Sequence, residues 1–122
     1  MTQKKLSVPD RRPLTVAEHR LLAFLLDRST EAGAYQGQLS LARVVSRCGC
    51  GCPTVDLALD GGSGRSGASI ILADVTGRSP EGVLVGVILH GREGELSELE
   101  VYSVDGQIST FGLPDPADLD LS

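Results

Sequence analysis

Residues 46–54 read Ser-Arg-Cys-Gly-Cys-Gly-Cys-Pro-Thr, so the three cysteines of the chain, Cys48, Cys50 and Cys52, alternate with glycine. Thiols in such a run can ligate a soft metal ion, exchange with disulfides, or stay protonated and pack as small hydrophobes. Tetrahedral zinc holds sulfur at about 2.3 Å, which sets the sulfurs roughly 3.8 Å apart, and a structural site takes four protein ligands. The run is one ligand short, and His19, His90 and Asp56 are the candidates for the fourth. In a regular strand, residues two apart lie about 6.6–6.8 Å from each other, too splayed for one ion unless the chain bends. Gly49 and Gly51 permit that bend, because glycine accepts positive φ at little steric cost.

Two features weigh against chemistry at the run. The common zinc spacing, two pairs of cysteines with two residues inside each pair, is not reproduced. Redox motifs place their thiols at a helix N-terminus, whereas here an expected helix ends just before Cys48, and its C-terminal dipole opposes the influence of Arg47 on a thiolate. The expectation is therefore that the run turns the chain from helix to strand, with the thiols as packing groups and two of them shielded against the core. Metal binding by Cys48, Cys50 and Cys52, with zinc as the ion, is the alternative. Thiol redox chemistry is a further one.

Other motifs fail on context. Gly62-Ser63-Gly64-Arg65-Ser66-Gly67 fits the dinucleotide pattern G-x-G-x-x-G, but strand formers follow it where a helix must open. Neither Ser63 nor Ser66 has the final glycine of a nucleophile elbow. Glu98 and Glu100 share a strand face, expected to include Leu96 and Tyr102, with Ser97, Leu99 and Val101 opposite. Such a carboxylate pair can do acid–base work, yet no aromatic-lined cleft is indicated around it, so a solvated face is the expectation. His90 reads as a polar strand end and His19 as a helix flank. No nucleophile, base and orienting group assemble into an enzyme site, so the leading expectation is a non-enzymatic interaction or structural module.

Composition narrows the partners. The 122 residues are 41% hydrophobic and 3% aromatic with no Trp, enough for one core built from aliphatic side chains. A net charge of −5 and the scarcity of stacking rings argue against nucleic acid. Residues 1–92 hold all 11 Lys and Arg with 8 acids, and residues 93–122 hold the other 8 acids with no base. The acidic C-terminal quarter can meet a basic protein partner or a cation. No apolar run reaches the roughly 18 residues of a membrane span, and no signal peptide is read at the start. An odd cysteine count without a signal suggests a reducing cytoplasm, with a protein partner or a homo-oligomer as the expected assembly.

The elements that must position these residues follow from periodicity. Residues 1–12 read as a basic polar leader, 13–113 as one domain and 114–122 as an acidic flexible tail. Thr15 and Glu18 form a capping box, and Ala17, Leu21, Phe24 and Leu25 give the following helix an apolar face to about Ser29. A second helix is expected over Gln38–Ser46. Strands are expected over Thr54–Leu59, Ile70–Val75, Val83–Leu89 and Leu96–Val104, with turns at Gly91–Gly94 and at Asp105–Gly106. The glycine-rich residues 60–69 and the segment 76–82 read as mobile loops. The sum is an α+β fold: two N-terminal helices packed on a four-stranded, mostly antiparallel sheet.

The run CGCGCPTVDL, together with GELSELEVYSVDG, resembles short uncharacterised bacterial proteins that form a domain of unknown function. The likeness spans most of the chain from Leu14 onward and implies no activity.

Overall fold

The helix starts where its capping box places it. In the computed structural model, which describes residues 7–28, 32–59, 68–106 and 110–120, helix α1 covers Val16–Arg28. The Glu18 amide donates to Thr15 Oγ1 at 3.1 Å, and Glu18 Oε1 accepts from the Thr15 amide at 2.9 Å, so two N–H groups at the open helix end are satisfied reciprocally. Leu21, Leu22, Leu25 and Leu26 are almost completely buried on its inner face. Arg12 grips both oxygens of Glu18 at 2.9 and 3.0 Å, which ties the preceding strand to the helix. Burial pushes the Glu18 carboxyl up, but the Arg12 guanidinium and the Thr15 amide outweigh it and hold the group below its usual range.

The expected second helix over Gln38–Ser46 does not form. A 3-10 helix over Ala32–Leu41 gives way to strand β2, Ala42–Cys48. Val44 and Val45 are β-branched and stiff at χ1, which favours a pleated surface. Buried Ala42 and Val44 then alternate with exposed Arg43, and this period of two wins over the weaker three-and-four repeat.

Nor does the sheet stop at four strands. All but the last residue of β1 (Ser7–Pro13) lies in the stretch 1–12 read as a leader, and after β2 come β3 (Val55–Leu59), β4 (Ser69–Arg78), β5 (Leu84–Arg92), β6 (Glu95–Ser103) and a two-residue β7 (Leu119–Asp120). They form one antiparallel sheet in the order β1-β2-β3-β6-β5-β4-β7. The α+β expectation of two helices on four strands is thus corrected to one α-helix on a mostly β fold. Strand β1 escaped the sequence reading because its residues, Ser-Val-Pro-Asp-Arg-Arg-Pro, carry no apolar alternation. As an edge strand it needs none, since prolines and charges are tolerated where one side of the ladder stays open.

One face of the sheet meets α1 and carries the core: Val44, Val55, Leu57, Leu72, Val85, Val87, Leu89, Leu99 and Val101, all nearly sealed from solvent. Leu96 belongs with them, not with Glu98 and Glu100 as its spacing suggested. The β5–β6 register shifts between His90 and Gly91, and such an irregularity changes which side chains share a face. Between β5 and β6 the turn is Glu93-Gly94, both at positive φ (50° and 81°), the conformation a two-residue hairpin requires. The segment Ser79–Val83 closes on itself through the Ser79 amide to the Val83 carbonyl at 2.9 Å. Among the described residues, no helix is long and apolar enough to cross a membrane. The dinucleotide-like glycine run, Gly62–Gly67, lies outside the described residues.

Candidate metal centre

The cysteine run is the connection of a β-hairpin, not the end of a helix. β2 ends at Cys48, β3 begins at Val55, and the ladder between them closes with Arg47 opposite Val55. The Cys48 amide then donates to the Thr54 carbonyl at 3.1 Å, which pins both ends of the loop. Thr54 is buried and reaches across to β6: its Oγ1 donates to the Val101 carbonyl at 3.0 Å and accepts from the Val101 amide at 2.9 Å. A side chain thereby takes the place of a backbone rung in the ladder and anchors the cysteine loop to the centre of the sheet. Sequence reasoning passed over Thr54 as an ordinary strand residue, because no local pattern marks a hydroxyl that bonds a residue this far along the chain.

Gly51 supplies the bend, at φ 98°. A Cβ there would also press on Thr110 Oγ1, so both the backbone conformation and the space demand glycine. With the chain folded back in this way, the sulfurs converge. Cys48 Sγ lies 2.7 Å from Cys50 Sγ, and Cys50 Sγ lies 3.1 Å from Cys52 Sγ. All three sulfurs fall within 4.8 Å of one another. The splaying expected of alternate positions in a straight strand does not occur.

Burial differs sharply along the run. Cys48 is buried, Cys52 half-buried and Cys50 exposed. Cys48 is sealed and Cys52 packs, partly buried, against the core, whereas the central residue, Cys50, is exposed, a poor position for a packing group. The protonation of the three differs too. Burial, followed by its hydrogen bond to Cys50, pushes the Cys48 thiol up to about 12. For Cys50, burial acts upward, but its hydrogen bonds with the Cys48 and Cys52 thiols, together with the Cys52 amide 3.4 Å away, prevail and bring its pKa below that of an ordinary thiol. The helix dipole invoked against a thiolate is absent, since β2 precedes the run.

None of the three candidate fourth ligands joins the cluster. Among the described residues the grouped ligand atoms are those of Cys48, Cys50 and Cys52 alone. His19 is exposed on α1. Asp56 accepts from the Ser46 and Ser7 hydroxyls. His90 lies within β5, not at its end, and pairs through Nε2 with Glu100 Oε1 at 2.8 Å. Glu98, opposite both His90 and Asp56 in the ladders, shares that face. The face of the sheet away from α1 is thus polar and half-buried here.

One of the thiols also borders a hollow. Cys52 lines a cleft of about 210 Å³ with Arg12, Glu18, Arg47, Thr54 and Leu113. Arg47 places its guanidinium 4.0 Å from Asp10 and remains half-exposed there. No family model matches the chain, and neither a curated protein nor a solved structure matches it.

A three-thiol cluster of this kind can hold a thiophilic ion such as zinc. The fit requires the sulfurs to part from 2.7 and 3.1 Å toward roughly 3.8 Å around such an ion.

Proposed function

We propose that the protein is a non-enzymatic binding module whose ligand is a soft metal ion, zinc or cuprous copper, held by Cys48, Cys50 and Cys52. The convergence of three sulfurs within 4.8 Å on one tightly bent loop carries this reading. The chain commits Gly51 and the buried Thr54 to hold a loop whose middle sulfur contributes nothing to the core. The sheet and helix close their own core, with Cys52 only at its margin, so the ion is not needed for folding. Three protein ligands leave room for a further one from solvent or from a partner, the arrangement of a site that exchanges its ion rather than locking it away.

Anaerobic titration of the reduced protein with zinc and with cuprous copper tests the reading. One ion per chain is expected, with protection of all three thiols from a thiol reagent and loss of binding in each of Cys48→Ser, Cys50→Ser and Cys52→Ser. No binding, or binding unchanged by all three substitutions, would overturn it. A second reading, thiol–disulfide exchange, draws on the 2.7 Å contact between Cys48 and Cys50 and the lowered pKa of Cys50. It predicts that oxidised glutathione removes two hydrogens from the protein and leaves one free thiol per chain.

A further inference from the structure

The two edges of the sheet are built differently. β1 carries Pro9 and Pro13, which have no N–H to offer, and the charges of Asp10, Arg11 and Arg12, the devices that discourage another strand from adding on. On the far side, β7 covers β4 only where Asp120 and Leu119 pair with Thr76 and Gly77. From Ser69 to Val75 no described strand pairs with the outer edge of β4. This stretch, Ser-Ile-Ile-Leu-Ala-Asp-Val, has no proline and a single charge, Asp74.

Its side chains say what kind of object would cover it. Ile70 and Ile71 are 50% and 53% exposed. They pair with Gly91 and His90 in turn, so as neighbours on one strand they point to opposite faces of the sheet. A body docked on either face would cover one isoleucine and leave the other in water. A strand laid along the edge flanks both and satisfies the open N–H and C=O groups as well.

We propose that β4 of two copies of this chain pair antiparallel about a two-fold axis, giving a closed dimer. Identical strands set antiparallel offer each other the same alternation of donors and acceptors, so the edge is complementary to itself. Head-to-tail growth would instead require β1 to accept β4, and the prolines and charges of β1 oppose that, so assembly stops at two copies. The register shift between Ile71 and Ala73 shortens the regular ladder available and so weakens the dimer. The thiol cluster takes no part.

Sedimentation of the full chain over the micromolar range, with reductant and chelator present, is the test. A concentration-dependent doubling of mass is expected. Ile71→Lys should weaken dimerisation at least tenfold, whereas Leu84→Lys, equally on exposed surface but outside the open stretch, should leave it unchanged. Hydrogen exchange of the unaltered protein reads the same contact: amides of Ser69–Val75 should gain protection as concentration rises. A monomer throughout the range, exchange at Ser69–Val75 that ignores concentration, or a dimer abolished by Cys50→Ser would each overturn the proposal.

Discussion

Replacing each cysteine by alanine, in chelated and in metal-loaded protein, separates packing from ligation. In chelated protein the loss should follow burial. Cys48 is 6% exposed, and its sulfur counts as roughly one buried methylene with a small cavity, so Cys48→Ala should cost about 1 kcal/mol. Cys50 is exposed and Cys50→Ala should fall within about 0.5 kcal/mol of zero, with Cys52→Ala between. Metal adds a different term. An ion that binds only the folded chain at 100 times its Kd stabilises it by about 2.7 kcal/mol. For a chain of this length that raises Tm by about 10 °C, at roughly 4 °C per kcal/mol. Every variant should forfeit that increment equally, so that Cys50→Ala, nearly silent without metal, costs about 2.7 kcal/mol with it, while Cys48→Ala still costs about 1 kcal/mol more. Calorimetric melting with and without a chelator reads all eight values. Unchanged Tm on adding metal would refute the ligation argument, and equal losses at Cys48 and Cys50 in chelated protein would refute the burial argument.

Alkylation should discriminate among the thiols. Iodoacetamide is expected to modify Cys50 first and to keep doing so below the ordinary thiol pKa of about 8.5, because its pKa is lowered, while Cys48, raised to about 12, reacts last; peptide mass mapping gives the order. Thr54→Val keeps the shape of the side chain but leaves both the Val101 amide and carbonyl without their partner, so a loss of about 2–3 kcal/mol in urea unfolding is expected. The depressed carboxyl of Glu18 contributes stability that is fully present above the unfolded value of about pH 4.3 and is lost as pH falls through the folded value. Glu18→Gln should therefore flatten the acid limb of the stability curve below that pH, while an unchanged limb would show that other carboxylates control it.

What could be read locally was read correctly where a short pattern has one structural solution. The Thr15–Glu18 capping box opens α1 because its partners lie within one turn of the helix. Alternation over Val55, Leu57 and Leu59 marks β3, and the apolar run within Leu84–Leu89 marks a strand that sits inside the sheet, flanked by β4 and β6. Ala42–Cys48 is the contrary case. Its apolar positions suit a helix and a strand about equally over so short a span, and the outcome rests on pairing with β1 on one side and β3 on the other.

From that misplacement followed the expectations that a helix dipole opposes a thiolate and that the sulfurs stay splayed, both of which the hairpin overturns. By itself the sequence determined which atoms could ligate, sulfurs at Cys48, Cys50 and Cys52, and that glycines would let the chain bend between them. Whether the sulfurs would meet depended on the element before them. A helix would have opposed a thiolate and carried the run away from the sheet. A hairpin folds it back, and the rung that Thr54 builds to Val101, 47 residues along the chain, holds it there. That bond, like the edge positions of β1 and β7, exists only once distant segments are side by side. The tertiary structure decided these features because strand order and edge exposure are properties of pairing, which no single segment encodes.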